Sequence, residues 1–566
     1  MEYRSTASVL LLLSVIALDL SGCKKKEVPK NLPVHTIVYG GDITLARRLN
    51  ESLHDKATHA SIFAEVKPIF QSADIMLGNA EGVVAEGGQF TDKGEPRPYM
   101  YRAHPIVMDI LKDAGFDVLT VGNNHSGDYG PEAFSEMLDR LTAAGIGYTG
   151  GGHNLADAAR PFYRKVDDTV VAIVGGDLTM THRVRALKNR AGPLFSDFFF
   201  FSKLSQSDKL LSQLSKTLKE ARKHAHVVLF SPHWGENWKA QPSKVMRALA
   251  RRIIELGYDG IIGHSSHWYH GVELIDGKPV IYDAGNLLLD YGGGDPAHRA
   301  FLWELSFNRA GVTAIKGYPL WLEFNQTTLA KGKIQKELLK GVQKRSKDLG
   351  TTLTIDDGVV TARCKPGEIS GPGKAAPPPA RAVPGRIRMA PSDTVIDVLP
   401  KRAIPVNIAY EEGIRLIGYE LLSPELAVPK AGQFVILYWT TDQEVKKSYT
   451  VHLEAHGRHF KTGKKRKEFA IHLPGDWLLP TNKWPVGKVI RDWTLFRLTF
   501  KPEGKVTFYM GLRDKGLLTP KSEELQFENN KLFQLGQAVY RKGAPQMFKV
   551  VETYRKKHGK YGGPRS

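Results

Sequence analysis

Five apolar runs in the first half of the chain each stop at a small group of polar residues. HTIVYGGD ends at Asp42, ADIMLGNAE at Asn79 and Glu81, and DVLTVGNNH at Asn124 and His125. HVVLFSPHWGE ends at His233 and Glu236, and DGIIGHSSH at His264 and His267. Short runs rich in Val, Ile and Leu predict buried parallel strands. Segments with helical spacing lie between them. PIVMDILKDAG feeds DVLTVG, LSQSDKLLSQLSKTLKEARKHA feeds HVVLFS, and PSKVMRALARRIIELG feeds DGIIG. PEAFSEMLDRLTAAG has Pro131 at a helix start and Gly145 at its end. Alternating strands and helices predict an α/β fold over residues 34–325. If the runs are parallel strands of one sheet, their C-terminal ends share one edge and the polar residues meet there.

Beyond residue 268 the pattern turns to hairpins, with a turn at Asp276-Gly277, and AFLWELSF reads as a further strand. Residues 326–364 read as an appended helical segment, and the Pro/Gly-rich stretch 365–399 as a semi-extended linker. Residues 400–545 carry short β-type runs such as GQFVILYWTT, SYTVHLEAH and KVTFYMGLR, which predict an antiparallel sandwich. This part resembles a β-sandwich module appended to bacterial envelope proteins. Its Trp439, Trp477, Trp484 and Trp493 read either as core residues or as a face that stacks on carbohydrate. Residues 546–566 form a basic tail.

A chain of 566 residues is too long for one core, so two or three domains are expected. The formal net charge of +20 favours anionic partners, and no nucleic-acid motif is present, so none is expected as partner. The segment 1–22 has Arg4, an apolar stretch and small residues, the layout of a secretory signal. Leu20-Ser21-Gly22-Cys23 resembles a bacterial lipobox, which implies lipidation of Cys23, a tether over 23–33 and membrane attachment through that lipid. The location implied is the bacterial cell envelope, facing the periplasm from the outer membrane in a two-membrane host. Cys364 is the remaining cysteine and reads as structural.

The strand-end residues have the donor types that bind divalent metals. Asp42 can bind one cation, bridge two, or cap a helix, since TLARRL follows it. Asn124 offers a neutral oxygen; His264 and His267, three apart on a loop, can place two imidazoles on one cation. Glu236 brings a carboxylate near His233. A metal in this pocket would supply hydrolytic chemistry, with His125 or His233 as general acid.

Together, GGDITLARR, ADIMLGNAEG, AGFDVLTVGNNHSGDYG, SPHWGENW, GYDGIIGHSSHWYHGVEL and IYDAGNLLLDY resemble the CapA, or poly-gamma-glutamate capsule synthesis, family. That resemblance covers roughly residues 34–292. It implies a calcineurin-like metallophosphatase fold, a four-layer α/β sandwich. It maps Asp42, Asn124, His233, His264 and His267 onto metal positions and His125 onto a catalytic histidine. It places Asn79, Glu81, Glu236 and Asn286 in supporting or substrate-contacting positions, with Asn79 a possible source of an oxygen ligand. The family's GHHPH loop is GHSSH here, with Ser265 and Ser266 in place of His and Pro, which bears on whether one or two metals bind.

The function this implies is that of an envelope lipoprotein in capsule or surface-polymer synthesis or attachment. It would be a metal-dependent hydrolase of phosphoester or γ-glutamyl bonds, its partner an anionic surface polymer or precursor. The alternative is a non-catalytic accessory protein that binds such a polymer.

Overall fold

A computed structural model describes residues 32–549 except 54–55, 90, 92–98, 180–182, 196–203, 291–294, 368–375, 391, 393, 422–431, 460, 476, 498–501, 522–526, 529–530 and 542–543. The signal segment, Cys23 and most of the basic tail lie outside the described residues.

The apolar runs do form strands, but in two sheets rather than one. His35–Leu45, Ile75–Val84, Val118–Thr120 and Gly147–Thr149 run parallel in the first sheet, with Arg299–Asn308 antiparallel beside His35–Leu45. Lys278–Ile281, Gly260–Ile262, Val227–His233 and Thr169–Asp177 run parallel in the second. The inner faces pack together through Ile37, Tyr39, Ile75, Leu77 and Val118 against Val171, Ile173, Val227, Leu229 and Ile262. Every residue along Ile75–Val84 and Val227–His233 is buried. Both faces of these strands are covered, which is why the runs are continuous rather than alternating.

Helices cover the outer faces. Val107–Ala114 and Gly130–Ala144 pack on the first sheet through Met108, Leu111, Phe134 and Leu138. Asp208–Ala221 and Lys244–Leu256 pack on the second through Leu214, Leu218, Leu249 and Ile253. The result is a four-layer α/β sandwich. Gly115, Gly145 and Gly257 end three of these helices in the left-handed conformation, where a Cβ would be strained. Ser243 caps Lys244–Leu256 by accepting from the Met246 amide.

Residues 326–364 are not a detached appendage. Gln326–Leu329 and Val359–Arg363 both pair with Gly311–Glu323 in the first sheet, and the helix Gly332–Asp348 between them buries Leu338, Leu339 and Val342 in the inter-sheet core. Its apolar stripe was legible, but the sheet that it closes against was not. Part of the Pro/Gly-rich stretch is also held against the domain: Arg381 pairs with Asp157 and lies over the Tyr148 ring.

Two antiparallel sheets follow, one built around Gly432–Thr441 and Val489–Arg497, the other around Thr450–His459 and Pro502–Arg513. Leu437, Trp439, Val451, Leu453, Phe508 and Met510 form the core between them. Ile436, Tyr438 and Trp493 point the other way and join the core of the α/β domain, where Trp493 meets Tyr129 with ring centroids 5.8 Å apart. Trp439, Trp484 and Trp493 are buried, spent on packing within and between domains, and Trp477 is half-buried against the His472 ring at 5.5 Å, so the four do not form a common stacking face. The last strand, Ala544–Lys549, carries the second sheet past residue 545.

Candidate metal centre

The polar ends of the two sheets converge at one edge of the sandwich. Asp42 lies inside the strand His35–Leu45, not at a helix start; the following helix begins at Arg47 with Ala46 before it. The strand passes very close to the segment after Lys278–Ile281, and a Cβ on Gly41 would lie 1.8 Å from the Gly285 carbonyl oxygen. Only glycine permits this approach, and the Asp42 amide donates to that carbonyl at 3.2 Å.

Asp42 is the hub. Its Oδ1 accepts from Asn79 Nδ2 at 2.8 Å and lies 3.6 Å from His264 Nδ1. Its Oδ2 accepts from the Ser265 amide at 3.2 Å and lies 3.3 Å from His267 Nδ1. His264 and His267 thus address opposite oxygens of one carboxylate, rather than sharing one cation between them as their spacing suggested. Two sets of potential ligands result: Asp42, His233 and His264, and Asp42, Glu81 and His267, with ligand atoms in each set within 4.8 Å of one another. The loop reaches this geometry with Ser265 at φ 115° and His267 at φ 60°, left-handed conformations unusual for such residues and common at functional sites.

The hydrogen bonds aim the imidazoles. Thr120 Oγ1 donates to Asn79 Oδ1 at 2.8 Å, so its lone pairs accept from His264 Nε2 at 3.3 Å. Asn124 Oδ1 accepts from His233 Nε2 at 2.9 Å. Both rings then turn their Nδ1 lone pairs toward each other, 2.8 Å apart, with Asn79 Nδ2 a distant donor to His233 Nδ1 at 3.5 Å. Two lone pairs at that distance repel unless a proton or a cation lies between them. Glu81 Oε2 is buried with no hydrogen-bond partner among the described residues. Facing imidazoles, a shared carboxylate and an unsatisfied buried carboxylate oxygen fit a divalent cation with mixed nitrogen and oxygen ligands.

The electrostatics agree. Burial opposes ionisation of Asp42, but the hydrogen bond and charge of His267 hold its carboxyl well below the usual range. Burial, with the Asp42 charge nearby, pushes Glu81 up to about 8. Burial pushes His264 down to about 4 and His233 well below the ordinary imidazole value, each disfavoured further by neighbouring histidines. Burial would lower His267 as well, but Glu81 and Asp42 raise it to about 10. The pocket is short of positive charge, and His267 supplies it.

Other expected site residues fall in different places. Asn79 gives no oxygen ligand: its Oδ1 takes hydrogen bonds from Thr120 and Asn123, and its Nδ2 orients Asp42. Asn124, only partly buried, lies at the mouth and orients His233. Glu81, expected beside the site, stands in one of the two ligand sets. Asn286 Oδ1 lies 3.0 Å from His267 Nδ1 and fixes that ring. Glu236 is more than half exposed and pairs with Lys239 at 3.4 Å, outside the site. The turn after His233 carries it away to solvent, a direction that adjacency in sequence does not reveal.

His125 lies at the rim of the Glu81 set, its Nε2 4.0 Å from Glu81 Oε1. Its Nδ1 donates to Asp128 Oδ2 at 2.8 Å, and the Tyr101 ring stacks on it at 3.8 Å. Sequence reading missed Asp128, though its place three residues after His125 in HSGD was a usable signal. It also missed Asp283, which accepts from the Ser266 and Gly285 amides at 2.6 and 2.7 Å and shapes the loop. Tyr101 and Trp238, the latter 5.4 Å from His267, had no such signal because their neighbours come from distant segments.

The sequence profile described as bacterial capsule synthesis protein PGA_cap matches residues 36–291. The chain is 27% identical to the PGA biosynthesis protein CapA of Bacillus subtilis (strain 168), over 60% of this chain and 85% of that protein. It is 28% identical to the capsule biosynthesis protein CapA of Bacillus anthracis, over 51% of this chain and 69% of that one. Among solved structures, a putative 5'-nucleotidase from Staphylococcus aureus is similar, with TM-score 0.32 and 14% identity, covering 56% of this chain and 58% of that one.

Proposed function

The chain belongs, through residues 36–291, to the bacterial capsule synthesis protein family PGA_cap, and on that footing we propose that it serves the synthesis or attachment of an anionic surface polymer of the poly-gamma-glutamate type, as a metal-dependent hydrolase. The reading is carried by one observation, the Asp42 carboxylate shared between two sets of buried ligands. Asp42, His233 and His264 would hold one divalent ion, and Asp42, Glu81 and His267 a second. A divalent ion there polarises a phosphoryl or carbonyl oxygen and activates water near neutral pH.

The chain's own groups do the rest. Asn124 orients His233 from the mouth of the site. Asp128 accepts from His125 Nδ1 and stabilises the imidazolium, whose second proton, on Nε2, faces the site and can pass to a leaving oxygen or nitrogen, leaving neutral imidazole with its proton on Nδ1. The Tyr101 stack keeps the ring in that plane. This geometry suits either a phosphoester or a γ-glutamyl amide as the bond cleaved. The relatives' names, PGA biosynthesis and capsule biosynthesis, favour the γ-glutamyl polymer or its precursor.

The test is turnover of γ-glutamyl oligomers and of phosphoesters by purified protein reconstituted with Zn, Mn or Fe. Cleavage of either class, abolished in His264→Ala, is the expected result. Stoichiometric metal with no cleavage of either class would overturn the hydrolase and leave the accessory reading. Envelope attachment through a lipid on Cys23 belongs to the same proposal and rests on the lipobox-like Leu20–Cys23. Cys23→Ser is expected to release the protein from membrane fractions and to remove acyl label; unchanged fractionation sinks it.

A further inference from the structure

We infer that the outer face of the second sandwich sheet is a docking groove for an extended polycarboxylate chain. A groove of about 540 Å³ opens where the hairpin of Thr450–His459 and Lys465–His472 meets the start of Pro502–Arg513. His456, Arg458, Lys465, Arg466, Lys467 and Lys505 line it, with two glycines and no carboxylate. Register explains the gathering. Arg458 pairs with Lys465 and His456 with Lys467, so these four side chains share one face, while Arg466, paired with Gly457, alternates to the other face and lines the groove from there. All five lysines and arginines are exposed. Beside the groove, Glu454 is occupied by Lys467 at 2.7 Å, His456 at 2.7 Å and His452 at 2.9 Å.

Such a concentration of like charge repels itself, and nothing in the packing of the sheet requires it. The opposite face of the same strands supplies the core through Val451, Leu453, Val506 and Phe508. An anionic chain lying across the strands would relieve the repulsion at several points at once. The chemistry favours carboxylates spaced along a flexible backbone. Three of the five cations are lysines, compact point charges on flexible stems that can each follow a single carboxylate along such a backbone. The groove lining holds one ring, His456, which is paired with Glu454 and lies 4.6 Å from the Tyr509 ring, and no Phe, Tyr or Trp of the kind on which bases stack in single-stranded nucleic-acid grooves. The choice of a γ-linked polyglutamate as occupant rests on the proposed function; the groove itself does not.

The experiment is titration of full-length protein with size-defined poly-γ-glutamate by calorimetry, at low and at physiological salt. Polyphosphate and single-stranded DNA of matched charge are run in parallel. Lys465→Gln/Arg466→Gln/Lys505→Gln is expected to weaken poly-γ-glutamate binding at least tenfold, and Lys505→Glu alone to weaken it severalfold. His264→Ala is expected to bind as the wild type does. Undiminished binding by the triple variant overturns the inference, as does tighter binding of polyphosphate or DNA than of poly-γ-glutamate. Groove binding by a metal-loaded wild type that cleaves neither substrate class would count against the hydrolase alone, so the two readings fail separately.

Discussion

The Nδ1 atoms of His233 and His264 face each other at 2.8 Å from the ends of neighbouring parallel strands. Thr120 and Asn124 hold the far nitrogens, so turning either lone pair away breaks a hydrogen bond, buried at Thr120 and partly buried at Asn124. Removing the hub carboxylate should therefore cost metal rather than fold. Asp42→Asn keeps the shape and an acceptor for Asn79 but loses the charge shared by both ligand sets. Metal analysis of the purified variant is expected to show loss of nearly all bound divalent metal, with far-UV circular dichroism unchanged. Full metal content in Asp42→Asn would contradict the assignment of Asp42 as bridging ligand.

Glu81→Gln separates one metal from two. Glu81 belongs to one ligand set only, so the expected loss is one equivalent of two, with the His233–His264 set still loaded. Loss of both equivalents, or of neither, would show that the sets are not independent or that Glu81 is no ligand.

Asp128 orients His125 by a hydrogen bond, and its charge adds to the burial and the Asp42 charge that raise Glu81. Asp128→Asn leaves a neutral acceptor and weakens the hold on the Nδ1 proton. The expected effect is a fall in kcat of about 10²-fold with KM little changed, against a loss of up to about 10⁴-fold for His125→Ala. Equal losses in kcat and in metal content would make Asp128 merely structural.

Away from the centre, His270 is an acid-sensitive point. Burial pushes its imidazole down to about 4. Its Nε2 donates to the Lys239 carbonyl at 2.9 Å, while Nδ1 is buried with no acceptor, so a second proton would be unsatisfied. The folded value lies below the unfolded one. The unfolded chain therefore takes up a proton first, and stability falls as pH drops from about 6.5 to about 4. The loss assigned to this group is about 2–3 kcal/mol over that window. Urea unfolding of His270→Gln across pH 4–7 is expected to show a correspondingly flatter profile than the wild type; an identical slope would remove His270 as the cause.

Trp493 joins the sandwich to the α/β domain against Tyr129. Trp493→Ala is expected to cost about 3 kcal/mol. Calorimetry should show the sandwich melting ahead of the α/β domain. A single unshifted transition would mean that the interface does not couple them.

Much of this protein was legible along the chain. The continuous apolar runs, the helical stripes and the glycines at 115, 145 and 257 determine the α/β order, because burial on two faces and left-handed helix ends impose local composition. The cluster of Asp42, His233, His264 and His267 could be anticipated because parallel strands deliver their C-terminal residues to one edge. Other features were settled only by the tertiary structure. The strands divide between two sheets, and a strand's sequence records that its faces are covered, not by which neighbour. Glu81 enters a ligand set while Glu236 turns to solvent, because side-chain direction depends on register and on the path of the next turn. His264 and His267 separate onto opposite oxygens of Asp42 because the left-handed turns at Ser265 and His267 point their rings apart, a choice that three-residue spacing leaves open.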